Sequence, residues 1–232
     1  RRPLDIRLDR PVVSFTFDDF PKSAATVAAE KLERRGWRAT YFASGGFAGG
    51  RTHHGDMFDS DDLKRLHAAG HEIACHTFSH DDATVVGTDQ ILADVSRNAA
   101  FLEACGHKAG PSTFAFPFGE ATPALKRALS RRFSALRGVR PGVNRGVADR
   151  ALLKAAPLDG GLAGLQRAID HVRDAAREPG WLIFYGHDVQ DMPTQWGCTP
   201  DFLDAVIDAV AASNAEVLTM NAALKRIEMG ER

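Results

Sequence analysis

Cysteine, excess charge and long apolar runs are all scarce in this 232-residue sequence, and each shortage excludes a class of protein. The three cysteines, Cys75, Cys105 and Cys198, are odd in number and lack CxxC spacing, so we expect reduced thiols and no disulfide framework. No apolar run reaches the roughly 18 residues of a membrane-spanning helix, so no integral membrane segment is expected. The formal net charge is -1 and no basic stripe carries interleaved aromatics, so we expect no nucleic-acid partner.

The N-terminus is also poor in targeting features. The chain begins Arg1-Arg2-Pro3 without a signal-type apolar segment, which favours a cytoplasmic location. An initiator Met is absent, which is compatible with an incomplete N-terminus. Hydrophobic residues make up 44% and charged residues 25%, as is typical of a soluble globular protein, and the oligomeric state is not determined by these features.

The sequence does contain a regular alternation of short apolar runs and amphipathic stretches. Predicted strands cover residues 11–17, 37–43, 71–76, 113–117, 133–136, 151–158, 181–185 and 216–218. Predicted helices cover residues 21–35, 60–69, 88–104, 122–131, 162–177 and about 199–212, and a terminal helix follows. Ser60 and Thr199 are the predicted caps of the second and sixth of these helices. Alternating strands and helices imply parallel pairing, and seven or so such units favour an α/β barrel over a doubly wound sheet. No repeat or linker divides the chain, so we predict a single domain over residues 1–232.

Two adjacent carboxylates follow the first predicted strand in the run Thr16-Phe17-Asp18-Asp19. In a barrel the C-terminal ends of the strands form the active-site face. Asp18 and Asp19 can therefore divide two tasks, one binding a metal ion and the other handling protons. Taken alone, a solvated turn is the simpler interpretation, because Asp is common in loops.

Two histidines, His76 and His80, follow the third predicted strand. Imidazoles four residues apart can converge on one ion if the segment forms a helical turn, and imidazole suits zinc and its neighbours. Two unrelated surface histidines are the alternative. Catalytic zinc sites typically use three protein ligands and keep one position open. Asp19, His76 and His80 would supply such a set and leave Asp18 as a free base.

Three further segments are candidates for the same face. His187 follows the strand 181–185 and is placed for acid–base chemistry, although a histidine bonded within its loop is the alternative. The run Phe116-Pro117-Phe118-Gly119 is a rigid turn that could wall a pocket, although core packing explains it without any function. In the loop 45–59, we expect His53 and His54 to be exposed and not to bind metal.

In their order along the chain, TFDD at 16–19, HTFSH at 76–80, FPFG at 116–119 and His187 after its strand resemble the motifs of the polysaccharide deacetylase family. This family is also called the NodB-homology family or carbohydrate esterase family 4. The resemblance implies a distorted (β/α)7 barrel of the α/β class. It also implies a bound divalent metal ion, with zinc expected and cobalt the alternative.

The resemblance also assigns roles to single residues. It implies that Asp18 is the catalytic base, that Asp19, His76 and His80 are the metal ligands, and that His187 is the general acid. The backbone N–H of Phe118 matches the family's oxyanion donor. Thr77 matches the Ser or Thr that braces the metal-binding loop.

Two departures from the family pattern stand out. The Arg that pairs with the base is often found where this chain has Ala115, so Arg140 and Arg145 in the loop 138–146 are candidates for its replacement. The family's Asp-Trp pair is incomplete, and Asp159 is our candidate for the Asp that tethers the acid His. Tyr185 and Trp196 are candidates for the aromatic substrate surface that the missing Trp would supply.

The resemblance implies a metal-dependent hydrolase that removes an N-acetyl or N-formyl group from a sugar or polysaccharide. A hydrolase of small non-sugar amides, such as cyclic imides or ureides, stays open because of the two departures. A catalytically silent carbohydrate-binding module also stays open, although it would need neither Asp18 nor His187. The sequence does not identify the sugar, its chain length or the acyl group.

Overall fold

A computed structural model describes residues 1–230 of the chain. Within these residues the strands are β1 Pro3–Ile6, β2 Val12–Asp18, β3 Thr40–Ala43, β4 Arg51–Thr52, β5 Gly55–Asp56, β6 Glu72–Cys75, β7 Thr113–Ala115, β8 Ala135–Arg137, β9 Gly146–Asp149, β10 Ala156–Pro157, β11 Trp181–Gly186 and β12 Glu216–Val217. The α-helices are α1 Ala29–Arg34, α2 Ser60–Ala68, α3 Ala83–Val86, α4 Thr88–Ala104, α5 Pro123–Leu129, α6 Gly161–Arg177, α7 Pro200–Ala212 and α8 Met220–Glu228. A π-helical stretch, Ala24–Ala28, leads into α1.

The parallel sheet confirms the predicted fold class. Its strand order is β10-β11-β2-β3-β6-β7-β8, and β12 pairs with the start of β2. These seven parallel strands form a curled half-barrel, which is the distorted barrel expected from the sequence. All their C-terminal ends therefore lie at one edge, where the connecting loops can gather functional side chains.

Strand β2 lies inside the sheet between β11 and β3, and all seven of its residues are buried. A strand covered on both faces reads as a nearly continuous apolar run, which explains VVSFTFD. The Phe15 ring stacks on Phe184 of β11 at 5.6 Å. On the same two strands, the buried hydroxyl of Ser14 accepts a hydrogen bond from the Trp181 indole at 3.0 Å. Strand β2 thus ends in a rigid position for the carboxylates that follow.

The predicted helix ends agree with the structure at α4 and at the start of α7. Helix α4 spans the predicted residues 88–104, and the Thr199 side chain caps α7 as expected. The start of α2 was assigned to the wrong cap. Asp59 and Asp62 form a capping box there, because each carboxylate accepts the other residue's backbone N–H, and this places Ser60 inside the helix.

The structure corrects the sequence prediction where the strands are short. The predicted strand 151–158 is reduced to β10, and the residues before it form a loop that carries an isolated bridge between Leu153 and Arg137. The antiparallel pairs β1–β9 and β4–β5 were missed. Two-residue strands such as β4 and β5 are too short to show a periodic pattern.

Two expectations drawn from scarce features agree with the structure. The cysteines named above are all free. Among residues 1–230, no helix is both long enough and apolar enough to cross a membrane.

Candidate metal and catalytic site

A cavity of about 400 Å³ lies at the C-terminal edge of the parallel strands. Most of the side chains that the sequence singled out line it: Asp18, Asp19, His76, His80, Phe118, Tyr185, His187 and Trp196. A cavity of similar size, about 420 Å³, is lined by residues at the start of β6, including Glu72. Cavity size alone therefore does not locate the candidate site. The chemistry of the residues that line the 400 Å³ cavity locates it.

Asp19 and two imidazoles converge as predicted. The Nε2 atoms of His76 and His80 lie 3.5 Å and 3.3 Å from Asp19 Oδ1. One ligand atom from each of the three residues lies within 4.8 Å of the others, which is a spacing that can hold one ion. His76 donates from Nδ1 to the Ala115 carbonyl at 2.9 Å, so its Nε2 is left as the free nitrogen that faces Asp19.

The environment of these three residues fits a cation. Asp19 Oδ1 is buried and has no hydrogen-bond partner, which is costly for a carboxylate unless a positive charge lies nearby. Burial, followed by the charge of Asp18, raises the pKa of Asp19 to about 8. Burial, followed by the charge of His76, lowers the pKa of His80 to about 3, so its imidazole is neutral as a ligand must be. One carboxylate and two neutral imidazoles form a donor set that suits zinc or cobalt.

The loop that carries His76 and His80 is held by Thr77 and by a residue that the sequence analysis missed. The Thr77 hydroxyl accepts a hydrogen bond from the His80 backbone N–H at 3.1 Å. The buried Asp94 carboxylate, on α4, accepts from the backbone N–H groups of Phe78 and Ser79 at 2.7 Å each, and from the Ser79 hydroxyl at 2.9 Å. An acidic residue inside a helix carries no motif of its own, so only the fold reveals this contact.

Backbone strain is concentrated in the same place. Of the six non-glycine residues with positive φ among residues 1–230, four belong to the predicted site: Asp19, Thr77, His80 and Phe118. Positive φ is a marked departure for a β-branched residue such as Thr77 (φ 64°). Each such conformation costs about 1–3 kcal/mol and persists only where surrounding contacts enforce it. The loops are therefore held in the geometry that directs these groups into the cavity.

Asp18 is buried beside Asp19 and is paired with Arg137. Arg137 Nη2 lies 2.5 Å from Oδ1 and Oδ2 of Asp18, and neither side chain is more than 5% exposed. Burial is the largest influence on the Asp18 carboxyl and raises its pKa. The charges of Arg137, His76 and His187 and the hydrogen bond from Arg137 together outweigh burial and hold that pKa below its ordinary value. Asp18 is therefore ionised at neutral pH and fixed in direction.

This pairing corrects the two arginines proposed from the sequence. Arg140 is exposed, and Arg145 forms an ion pair with Asp174 at 3.1 Å, so neither reaches the base. Both lie in the loop beyond β8, whereas Arg137 is the last residue of β8 and shares the edge of the sheet on which Asp18 lies. The position of Arg137 at a strand end was the signal in the sequence that could have identified it.

His187 follows β11 and lines the cavity as predicted, but its tether differs. Its Nδ1 donates to the Trp196 carbonyl at 3.2 Å, and Asp159 makes no hydrogen bond to it. Asp159 does not line the cavity, so the proposed Asp tether is wrong and a backbone carbonyl takes its place. Burial, the largest influence, lowers the pKa of His187 to about 4, although the charge of Asp18 opposes it.

His54 corrects another expectation. His53 is exposed, as predicted, but His54 is only 3% exposed and lines the cavity from the tip of the β4–β5 hairpin. Its Nδ1 lies 3.1 Å from Oδ1 of the buried Asp188, and its ring stacks on His187 with the centroids 4.8 Å apart. Neither the burial of His54 nor its contact with Asp188 follows from the sequence, because a histidine in a Gly-rich loop gives no sign of which strand edge it will cover.

The aromatic residues wall the open side of the cavity. Phe118 is 61% exposed, and its ring lies 4.6 Å from the His80 ring. Trp196 is 46% exposed, and Tyr185 is half-buried with its ring 5.2 Å from the Arg137 guanidinium. Tyr185 and Trp196, the two candidates for a replacement aromatic surface, therefore both line the cavity.

Comparison with known proteins finds similar sequences and similar folds. A bifunctional xylanase/deacetylase from Pseudobutyrivibrio xylanivorans is 26% identical over 95 residues, which is 41% of this chain and 15% of that protein. A family 4 acetyl xylan esterase from Clostridium thermocellum, solved in complex with a cobalt ion, superposes with a TM-score of 0.65 at 23% identity, covering 94% of this chain and 92% of that one. The chitin deacetylase of Colletotrichum lindemuthianum gives a TM-score of 0.69 at 15% identity, covering 94% and 88%.

The two structural likenesses show the fold, and the family follows from the sequence match. The family model described as polysaccharide deacetylase matches residues 5–132, more than half of the chain. This segment contains the paired aspartates, the two histidines that face Asp19 and the Phe118 turn. The chain belongs to the polysaccharide deacetylase family.

Proposed function

We propose that this chain is a metal-dependent hydrolase that removes an acetyl or formyl group from the nitrogen of an amino sugar. The proposal depends on one observation: Asp19, His76 and His80 meet around a common centre, with the ionised Asp18 beside them. The order of the motifs and the family membership support a carbohydrate substrate. The cobalt ion in the acetyl xylan esterase supports a divalent cation of the zinc or cobalt class.

Asp18 is suited to accept a proton from the attacking water. It is ionised, and Arg137 fixes its direction, so it needs no reorganisation when the reaction begins. When a divalent cation is bound, it supplies Lewis-acid activation of water and of the acyl carbonyl. Arg137 also balances the charge of Asp18, so that Asp18 and Asp19 can lie side by side in a buried site.

The backbone N–H of Phe118 is proposed as the donor that binds the carbonyl oxygen as negative charge develops on it. A turn with positive φ presents this segment to the cavity, and Pro117 holds the turn rigid. A preorganised donor of this kind is typically worth about 2.7–4 kcal/mol in the transition state. It acts without any change in the conformation of the turn.

His187 is proposed as the group that protonates the leaving nitrogen. Its Nδ1 is held by the Trp196 carbonyl, so Nε2 is the atom that exchanges a proton in the cavity. With a pKa lowered by burial to about 4, the imidazolium is a strong acid and a minor species at neutral pH. A strong acid suits an amine leaving group, which departs readily only when it is protonated.

The alternative of a small non-sugar amide loses part of its basis in the structure. It depended on the missing Arg and Trp, and Arg137 supplies the guanidinium that Ala115 lacks. A silent carbohydrate-binding module would have no use for the buried Asp18–Arg137 pair or for the tethered His187. Keeping an ionised carboxylate buried is expensive, so its presence favours catalysis.

The test is an activity screen with metal-replete protein against N-acetyl and N-formyl amino sugars, with cyclic imides and ureides as the competing substrates. We expect acetate or formate to be released from a sugar, release to stop with a chelator, and one equivalent of Zn²⁺ or Co²⁺ to restore it. Turnover of imides or ureides alone would transfer the proposal to the small-amide class. Sugar binding with stoichiometric metal and no hydrolysis would identify a binding module.

A further inference from the structure

The His54 imidazole lines the cavity with its Nδ1 held by other side chains, although the family motifs do not include this residue. The β4–β5 hairpin brings it into the cavity, where its Nδ1 lies 3.1 Å from Asp188 Oδ1 and 3.2 Å from the Thr194 hydroxyl. Asp188 is fully buried and also accepts from the backbone N–H and the hydroxyl of Thr194. A carboxylate acceptor fixes the proton of His54 on Nδ1 and leaves the lone pair on Nε2. Metal-binding histidines are typically held in this way.

The free nitrogen of His54 faces the second oxygen of Asp19. His54 Nε2 lies 3.8 Å from Asp19 Oδ2, whereas the Nε2 atoms of His76 and His80 face Oδ1. The two oxygens of one carboxylate thus face different imidazoles. This is the arrangement of a carboxylate that bridges two cations.

His187 completes a second set of ligands. Its ring is parallel to that of His54 within 10°, and its Nδ1 is occupied by the Trp196 carbonyl, so its Nε2 also carries a lone pair. One ligand atom each from Asp19, His54 and His187 lies within 4.8 Å of the others. Over residues 1–230, this set and the set of Asp19, His76 and His80 are the groups with such spacing, and they share Asp19 alone.

We propose that Asp19, His54 and His187 bind a second divalent cation of the zinc or cobalt class, with Asp19 bridging it to the first. The ligand spacing favours a separate ion over a fourth ligand to the first ion, because the two histidine pairs do not fall into one group. Two dications so close repel each other, so the second binds more weakly than the first.

The second cation has a consequence for catalysis, and this step rests on the proposed function. The His187 nitrogen that must deliver a proton to the leaving amine is the same atom that would bind the second ion. A cation there removes the general acid. Deacylation is therefore expected to be highest with one equivalent of metal and to fall at least tenfold when the second site fills.

The experiment uses the full chain without a histidine tag, stripped with a chelator and titrated with Co²⁺. Equilibrium dialysis with metal analysis should give two Co²⁺ per chain for the wild type and one for His54→Gln, with the first affinity unchanged within about threefold. The electron paramagnetic resonance signal of the first Co²⁺ should lose intensity as the second binds, because a bridging carboxylate couples the two spins. His67→Gln, which removes an exposed imidazole from α2, is the matched control and should keep two ions.

Thermal unfolding checks that His54→Gln is folded. A second variant tests the site without removing the His54 ring. Asp188→Asn keeps the His54 ring and weakens its acceptor, and should lower the second affinity about 10–100-fold while sparing the first. One Co²⁺ per chain in the wild type at saturation would overturn the proposal, as would two in a folded His54→Gln.

These results are independent of the proposed function. Two ions that depend on His54, with no amide hydrolysed at one equivalent, would support the second site and contradict the deacylase. Deacylation by a protein that binds a single ion at saturation would support the deacylase and contradict the second site.

Discussion

Arg137 and Ala115 are register partners on the neighbouring parallel strands β8 and β7, and it is the Arg137 guanidinium that holds Asp18. The family's arginine commonly stands where this chain has Ala115. Neighbouring strands are about 4.8 Å apart, which a long arginine side chain can span. In this chain the arginine of the ion pair thus comes from one strand further along the sheet than the resemblance implies.

Replacing Arg137 should damage both stability and turnover. Arg137→Met leaves Asp18 buried without a partner, and breaking a buried pair typically costs about 3–5 kcal/mol. The pKa of Asp18 should rise, and kcat should fall at least 100-fold at neutral pH. Thermal unfolding and steady-state kinetics measure the two effects. Arg140→Met is the matched control, because Arg140 is exposed, and it should change neither. If Arg137→Met and Arg140→Met change the thermal stability and kcat equally, the ion pair between Arg137 and Asp18 is unimportant.

The register also predicts a rescue. If the guanidinium can approach Asp18 from either strand, the double variant Ala115→Arg, Arg137→Ala should recover at least tenfold of the kcat that Arg137→Ala loses. The recovery should come with a return of the pKa of Asp18 toward its lower value, seen in the acid limb of the pH–rate profile. Ala115→Arg alone should be destabilising, because it adds a second buried cation at a fully packed position. If the double variant is as inactive as Arg137→Ala, an arginine side chain at position 115 does not reach Asp18.

Asp18→Asn separates the base from the metal site. The amide is close in size to the carboxylate but cannot take a proton, so we expect kcat to fall about 100- to 10,000-fold, the usual range for a general base. The first cation should still bind, since its ligands are Asp19, His76 and His80. Metal analysis of dialysed protein and kinetics on the same sample test both statements. Full activity in this variant would remove Asp18 as the base.

The sequence predicted those parts of the site that depend on short, local signals. Asp18, His76 and His187 each lie at the end of a strand with a strong apolar pattern, so their common edge followed from parallel topology. The Thr199 cap likewise predicted the start of α7.

The missed residues depend on contacts between distant parts of the chain. His54 is 134 residues from Asp188, and Arg137 is 119 residues from Asp18. No period or motif encodes which loop folds over a strand edge. The tether of His187 was missed for another reason, because a backbone carbonyl such as that of Trp196 has no residue type to recognise.

Asp94 is expected to control metal affinity without touching the metal. Asp94→Ala would leave the N–H groups of Phe78 and Ser79 without their acceptor, and the strained loop that carries His76 and His80 could relax. We expect the affinity for the first cation to fall about 10–100-fold, as for other contacts that orient metal ligands. Competition with a chromophoric chelator measures the affinity.

Two comparisons make this result specific to Asp94. Asp94→Asn keeps one acceptor oxygen and should show a smaller loss of affinity. Asp89→Ala, at an exposed position on the same helix, should leave it unchanged. Unchanged affinity in a folded Asp94→Ala would show that the loop holds its shape without that carboxylate.

Glu72 gives a prediction of pH dependence away from the metal site, at the start of β6. Its carboxylate accepts hydrogen bonds from the hydroxyls of Thr113 and Thr40 at 2.6 Å and 3.0 Å, and from the Asn221 backbone N–H at 2.8 Å. Burial nevertheless outweighs these hydrogen bonds and raises the pKa of Glu72 above its ordinary value of 4.5. The folded protein thus holds this proton more tightly than the unfolded chain does. As pH rises past 4.5 the unfolded state loses the proton first, so the stability of the fold falls with rising pH. Above the folded pKa of Glu72 the stability stays at this lower value.

Glu72→Gln imitates the protonated side chain at every pH and should remove the pH dependence of stability that Glu72 causes. The difference in unfolding free energy between variant and wild type should therefore move in favour of the variant as pH rises from 4 to 8, and then level off. Urea unfolding at a series of pH values measures it, and Glu103→Gln, at an exposed position, is the control that should give no such trend. A difference that moves toward the wild type over this range would mean that the hydrogen bonds from Thr40, Thr113 and Asn221 stabilise the ionised carboxylate more than burial opposes it, and that the pKa of Glu72 is lowered.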